Sequence, residues 1–170
     1  MKSSNNVWER IHSERDWGKY PNEELVRFIG RNFFKIPKDR RKIRILELGC
    51  GQGANLWFLA KEGFETHGLD ISRSAVFKAR KRLVRDWNVQ ADVIIGNMIN
   101  VPYKACSFDV VVDCASIQHV PFSTHPIVFK EIYRILKPGG HFWSFHILEG
   151  SWGYGTGDPV YYKTFRNLTE

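Results

Sequence analysis

The sequence predicts an α/β fold: a Rossmann-like, doubly wound, mostly parallel sheet of about five strands with helices on both faces. Three features carry this expectation. Short dense apolar runs alternate with segments of helical period, the first clear run opens into a glycine-rich turn and a helix, and an acid closes the second run. With 170 residues, 43% hydrophobic and 25% charged, the chain has the length and composition of one domain with a real core. Disorder, collagen-like repeats and a coiled coil are excluded, and no apolar run has the length that spans a bilayer.

The elements follow in order. A leader carrying Trp8, Trp17 and Tyr20 among charged residues precedes a helix capped by Asn22, with Leu25, Phe28, Ile29 and Phe33 on one face and Pro37 as its stop. Ile43 to Leu48 reads as a buried strand, Ala54 to Glu62 as a helix stopped by Gly63, and Phe64 to Leu69 as a second strand. A helix after Ser72 places Val76, Ala79, Leu83 and Trp87 at spacings of three and four. Val93 to Ile95, Phe108 to Asp113 and Phe142 to Leu148 read as further strands. Between the last two, a helix from Thr124 to Lys137 turns Val128, Phe129, Ile132, Ile135 and Leu136 inward and stops at Pro138-Gly139-Gly140.

The net charge is +7, and the excess is clustered. Arg31 to Arg44 holds seven basic residues against one acid, and Lys78 to Arg85 holds five against none. Such clusters read first as a solvated linker and a solvated helix face, and only second as a nucleic-acid surface. Cys50, Cys106 and Cys114 form no Cys-x-x-Cys pair and lie at no zinc spacing, so reduced thiols, no structural metal and a cytoplasmic setting are expected. The start shows no secretory signal.

Ligands of such sheets bind beyond the carboxyl ends of the strands, which directs attention to the residues after Leu48, Leu69, Ile95 and Asp113. Glu47-Leu48-Gly49-Cys50-Gly51-Gln52-Gly53-Ala54 leads from strand to helix. Glycine at Gly49, Gly51 and Gly53 lets a ligand touch the backbone, and the helix start offers unpaired N–H donors. Asp70 ends the second strand 21 residues past Gly49, where a carboxylate can accept both ribose hydroxyls. A nucleoside site follows, and two cofactor classes fit it: Gly49-x-Gly51-x-x-Ala54 matches a dinucleotide fingerprint, whereas Glu47-x-Gly49-x-Gly51-x-Gly53 accounts for more residues.

That second pattern resembles motif I of the class I S-adenosylmethionine-dependent methyltransferases. Further resemblance lies at Gly96-Asn97-Met98 with Val101-Pro102-Tyr103, at Phe108-Asp109-Val110-Val111-Val112-Asp113 and at Leu136-Lys137-Pro138-Gly139-Gly140, together spanning Ile43 to Ile147. The resemblance implies S-adenosylmethionine as cofactor. It places Glu47 near the methionine amino end, Gly49 and Gly51 under the cofactor and Asp70 at the ribose, with Cys50, Gly53, Asn55 and Ile71 as further cofactor-binding residues. Asn97 and Met98 then serve the adenine, Cys114 and Ala115 line the wall toward the acceptor, and Trp8, Trp17 and Tyr20 either fold over the cofactor from the leader or anchor the leader to the core. The family commonly has Asp where this chain has Asn97; an amide carbonyl still accepts, at a cost of about 1 kcal/mol in lost charge assistance. His119 is the candidate catalytic group, as a general base or as an orienting, cavity-lining histidine, while His125 and His146 default to structural roles.

The resemblance gives a domain plan of residues 1–40 as leader and helix, 41–149 as cofactor-binding core and 150–170 as a C-terminal loop segment, without the family's sixth and seventh strands. Phe142 to Leu148 would then be a sheet edge, so self-association is expected unless Val160 to Leu168 folds back over it. The implied activity is methyl transfer to a small-molecule acceptor, with no membrane partner. The alternatives are a nicotinamide-dependent oxidoreductase, and a truncated, non-catalytic domain that binds cofactor or RNA.

Overall fold

A computed structural model describes residues 4–35 and 39–147. Its strands are β1 (Arg44–Leu48), β2 (Glu65–Asp70), β3 (Asp92–Ile95), β4 (Phe108–Cys114) and β5 (Leu136–Phe145). Its α-helices are α1 (Ser4–Glu14), α2 (Glu23–Phe33), α3 (Ala54–Lys61), α4 (Arg73–Arg85) and α5 (His125–Ile135). The strands form one sheet in the order β3-β2-β1-β4-β5, with every neighbouring pair parallel. The order reverses at β1 and β4, and the crevice beyond their carboxyl ends is where ligands of doubly wound sheets bind.

Alternation along the strands sorts the core into two faces. Ile45, Val110 and Val112 meet Leu25, Ile29 and Phe33 of α2 and Phe58 and Leu59 of α3. Leu46, Leu48 and Val111 meet Val128, Ile132 and Ile135 of α5. Because β1 and β4 are covered on both sides, their sequences read as continuous apolar runs. Caps set the helix starts: the Asn22 side chain accepts from Glu24 N and Leu25 N, and Ser72 Oγ accepts from Ala75 N.

The structure departs from the sequence reading in five places. The leader contains a helix, α1, whose sequence is mostly polar. Its Trp8, Ile11 and His12 face inward, and the Glu9 carboxylate accepts from Ser72 Oγ (2.7 Å), Ser74 N (3.2 Å) and Ser74 Oγ (2.6 Å) at the start of α4, so tertiary contacts rather than amphipathic strength hold it. α5 ends at Ile135, because Leu136 already pairs with Phe108 in the sheet. β5 thus takes in Pro138-Gly139-Gly140, read in the sequence as a stop; a bulge absorbs them, the register moving from Phe108↔Leu136 to Val110↔His141. Phe129 is 42% exposed, and Trp87 lies beyond α4, stacked on Trp57.

The basic clusters are also more than solvated surface. Arg40 pairs with Glu62 (2.9 Å), Arg80 donates to the Val93 carbonyl, and the buried Arg82 donates to the Trp17 carbonyl (3.2 Å). All three cysteines are free. Among the described residues no helix is long and apolar enough to cross a membrane, no group of three His, Cys, Asp or Glu side chains has the geometry to hold a metal, and β5 forms one sheet edge. Leu148, the 150–170 segment and the Val160 to Leu168 stretch lie outside the described residues.

Candidate functional site

The turn after β1 is built on backbone bonds to its neighbour: Gly49 N and Cys50 N both donate to the Leu69 carbonyl, at 2.7 and 3.1 Å. Gly49 has φ +66°, and a Cβ there would stand 2.2 Å from Ser116 Oγ, so a side chain is excluded by both conformation and space. Ser116 uses that closeness, donating from Oγ to the Gly49 carbonyl at 3.0 Å. The loop after β4 is thereby pinned to the loop after β1, and a cavity of ≈ 680 Å³ opens between them.

Fourteen of the fifteen candidate residues line this cavity: Glu47, Gly49, Cys50, Gly51, Asn55, Asp70, Ile71, Asn97, Met98, Cys114, Ala115, His119, Trp17 and Tyr20. Gly53 does not. It caps α3 with φ +85° and packs against Ala79 of α4, so its place in the sequence pattern reflects helix packing.

Two buried carboxylates define the polar floor. Glu47, 2% exposed, accepts from Asn55 Nδ2 at Oε1 (2.6 Å), while its Oε2 is buried without a partner. Burial pushes the Glu47 carboxyl up to about 8, an effect that the Asn55 bond opposes and the nearby Asp113 and Asp70 reinforce. Asp70 accepts from Ser72 N at Oδ1 and from Gly51 N at Oδ2, both at 2.8 Å, so each oxygen keeps a lone pair. Burial raises its pKa, and those two N–H bonds counter the rise. Burial likewise pushes the Cys114 thiol up to about 11 and the Cys50 thiol well above its usual range, so both are protonated thiols at neutral pH.

Asn97 has a second role as a turn former: its Oδ1 accepts from Ile99 N at 3.2 Å, leaving one carbonyl lone pair and the amide for a ligand. Over the cavity lies an aromatic group from the leader. The Trp8 ring stands edge-on to His119 with centroids 4.9 Å apart, and Trp17 lies 5.7 Å from His12 and 6.5 Å from Trp8. Tyr20 is 85% exposed at the rim.

Sequence reasoning missed three side chains that organise this cavity. Gln52 accepts from Trp17 N (3.0 Å) and donates to the Arg15 carbonyl (2.9 Å), tying the leader to the glycine turn. His12 reaches the cavity from α1, and its pKa is lowered by burial. Gln118 bridges the loop after β4 to Ile147. The available signals were Trp8, Ile11 and His12 at helical spacing, and two glutamines beside residues already singled out.

The fold and this site define a doubly wound domain with a cavity beyond the carboxyl ends of its strands, floored by Glu47 of β1 and Asp70 of β2. The family model described as a methyltransferase domain matches residues 45–140, and the chain belongs to that family. A demethylmenaquinone methyltransferase of Lactobacillus johnsonii is 34% identical over 115 residues, covering 65% of this chain and 46% of the relative. An 18S rRNA (guanine-N(7))-methyltransferase of Bos taurus is 29% identical over 115 residues, covering 62% of this chain and 39% of the relative. The chain thus spans less than half of either. The structure of Haemonchus contortus phosphoethanolamine N-methyltransferase 2 in complex with S-adenosyl-L-methionine shares the fold, with a TM-score of 0.70 at 20% identity over 96% of this chain and 44% of that one.

Proposed function

We propose that this chain binds S-adenosylmethionine and takes part in transferring its methyl group to a small-molecule acceptor. Membership of the methyltransferase-domain family decides against the nicotinamide alternative. The observation that carries the reading is the pair of buried carboxylates, Glu47 and Asp70, aimed into one cavity with lone pairs unused. A buried carboxylate oxygen without a donor is costly, and the α-ammonium of a methionine end is the donor it lacks. Asp70 suits a vicinal diol, because its two oxygens can accept two hydroxyl protons side by side while the backbone N–H bonds hold the carboxylate in place. Asn97, with the Met98 backbone beside it, offers the hydrogen-bonding edge for adenine.

When bound, the sulfonium supplies an electrophilic methyl group. The chain's task is positioning and exclusion of water. Trp8 and Trp17 can present ring faces to a positive centre and shield it, while Tyr20 stands at the entrance. The acceptor side is lined by Ser116, His119, Val120, Pro121 and Phe145, which favours a small acceptor with an apolar body over a phosphorylated one. Three free cysteines accord with a reducing, cytoplasmic setting.

Isothermal titration with S-adenosylhomocysteine and with NAD tests the cofactor, and transfer of a labelled methyl group to metabolite fractions tests the acceptor. Binding of NAD with no binding of S-adenosylhomocysteine overturns the reading.

A further inference from the structure

Three carboxamide side chains around the cavity share one arrangement. Gln52 Oε1 accepts the Trp17 N–H (3.0 Å), Asn55 Oδ1 accepts the Asn22 N–H (2.9 Å), and Gln118 Oε1 accepts the Ile147 N–H (3.0 Å). A backbone N–H can only donate, so each amide oxygen is fixed and each NH₂ group must point the other way. Every one of these NH₂ groups then meets a titratable side chain: His12 Nδ1 at 3.3 Å, Glu47 Oε1 at 2.6 Å and His119 Nε2 at 3.3 Å. The third bears on the reaction.

An amide NH₂ has no lone pair to offer, so the ring nitrogen facing it must be the acceptor. His119 Nε2 is therefore bare, and in the neutral ring the proton sits on Nδ1. His119 lines the cavity, and its Nδ1 is neither hydrogen-bonded to any described residue nor sealed from solvent. We propose that Gln118 is a positioning residue that locks His119 in the Nδ1–H tautomer, making His119 a hydrogen-bond donor to the methyl acceptor and removing it as the base. This rests on the methyltransferase reading for the identity of the reaction, while the tautomer itself does not.

The surroundings agree. Burial lowers the His119 pKa, and protonating Nε2 would set one N–H against another. Asp113 of β4 is the nearby charge that pulls the other way, but it is already engaged: Oδ1 accepts from Ser116 N and Ile117 N, and Oδ2 accepts from Ser144 Oγ, with His146 Nε2 3.6 Å from that oxygen. α1 contributes the Trp8 ring and His12, whose pKa burial also lowers while Asp70 and Glu9 pull it up. No lysine or arginine pairs with His119 or Asp113 among the described residues.

The consequence concerns the acceptor's chemistry. The acceptor must arrive with its lone pair free, as a carboxylate, phenolate, enolate or neutral amine. That pair forms the new bond to carbon while the carbon–sulfur pair stays on sulfur. An oxyanion so methylated becomes a neutral ester or ether with no proton left to remove, and an amine becomes an ammonium that loses its proton to water. An un-ionised aliphatic alcohol would need a base that this wall does not supply.

The test is long-range ¹H–¹⁵N correlation on ¹⁵N-histidine protein, with His119 assigned from its loss in His119→Asn. The expected wild-type spectrum has a protonated Nδ1 and a bare Nε2, persisting below the ordinary histidine range near pH 6.5. Gln118→Glu should reverse it, since a carboxylate accepts from both Ile147 N–H and Nε2–H, giving the Nε2–H tautomer and a raised pKa. Gln118→Met, which keeps the shape without the amide, should give a mixture of tautomers. An Nε2–H or doubly protonated ring in the wild type at pH 7 overturns the proposal, as does an unchanged spectrum in both variants. Failure of S-adenosylhomocysteine to bind would instead overturn the proposed function, and leaves this spectrum unaffected.

Discussion

The two ends of the parallel sheet are made by the same strands and handle charge in opposite ways. At the amino end, Arg44 donates to Glu65 (2.7 Å) and to the Ser107 carbonyl (3.0 Å), Lys137 meets Asp109 (2.6 Å), and His67 lies 3.1 Å from Glu65 and 3.4 Å from Asp92. At the carboxyl end, Glu47, Asp70 and Asp113 have no lysine or arginine partner among the described residues and are met by backbone N–H groups, a carboxamide and a hydroxyl. The difference separates cohesion from binding: the first end meets Glu65 and Asp109 with Arg44 and Lys137, and the second, where Asp113 is satisfied by its neighbours, keeps Glu47 Oε2 without a donor and lone pairs on Asp70 for a ligand.

The largest expected effect is at Asp70. Asp70→Ala should weaken S-adenosylhomocysteine by about 100-fold or more, since two charge-assisted contacts vanish together. Titration calorimetry reads this directly, and Asp70→Asn, which keeps the volume, separates it from disturbance of the turn. An unchanged affinity in both would remove Asp70 from the site.

Glu47 sharpens the contrast because it should act oppositely on folding and on binding. Its pKa in the folded protein is about 8 against an ordinary 4.5, so the native state holds a proton that the unfolded chain releases. The stability it contributes is complete below pH 4.5, declines as pH rises toward 8, and is lost above that. Glu47→Gln should raise the melting temperature of the free protein at pH 8, flatten its dependence on pH across that window and weaken ligand binding by about tenfold. In the wild type, ligand binding at pH 7 should release a proton from Glu47, visible as a calorimetric enthalpy that changes with the buffer's ionisation heat.

Arg44→Ala probes the other end. It should lower folding stability by about 1 kcal/mol in urea titration, because its pairs are partly exposed and screened, and leave ligand affinity unchanged. A loss of affinity there would break the separation of the two ends. The smallest effect is expected at Asn97→Asp. A carboxylate can still accept from Ile99 N and offers adenine a stronger acceptor, so affinity should hold or tighten within about threefold.

Most of this architecture was legible because local chemistry and global packing agree. Asn22 and Ser72 cap where their side chains can reach, and Ile43 to Leu48 reads as a buried strand because β1 (Arg44–Leu48) is covered on both sides. The floor of the cavity was legible for the same reason, since glycines and strand-ending acids are local signatures. What stayed hidden depends on contacts distant in sequence. α1 is held by Glu9 against serines 63 and 65 positions away, and the bulge in β5 is set by β4. Gln52 and Gln118 owe their roles to backbone N–H groups 35 and 29 positions away, which no pattern of residue types announces.

The strand order also has a consequence for how the chain is made. Ile45 of β1 pairs with Thr66 on one side and with Val110 on the other. During synthesis β1 can acquire β2, which is complete at Asp70, before β4 (Phe108–Cys114) leaves the ribosome. Through that interval the second side of β1, with its apolar run and its open row of N–H and carbonyl groups, has no native partner, and non-local parallel pairing is slow once one arrives. The innermost strand of the finished sheet thus begins its existence as an outer edge.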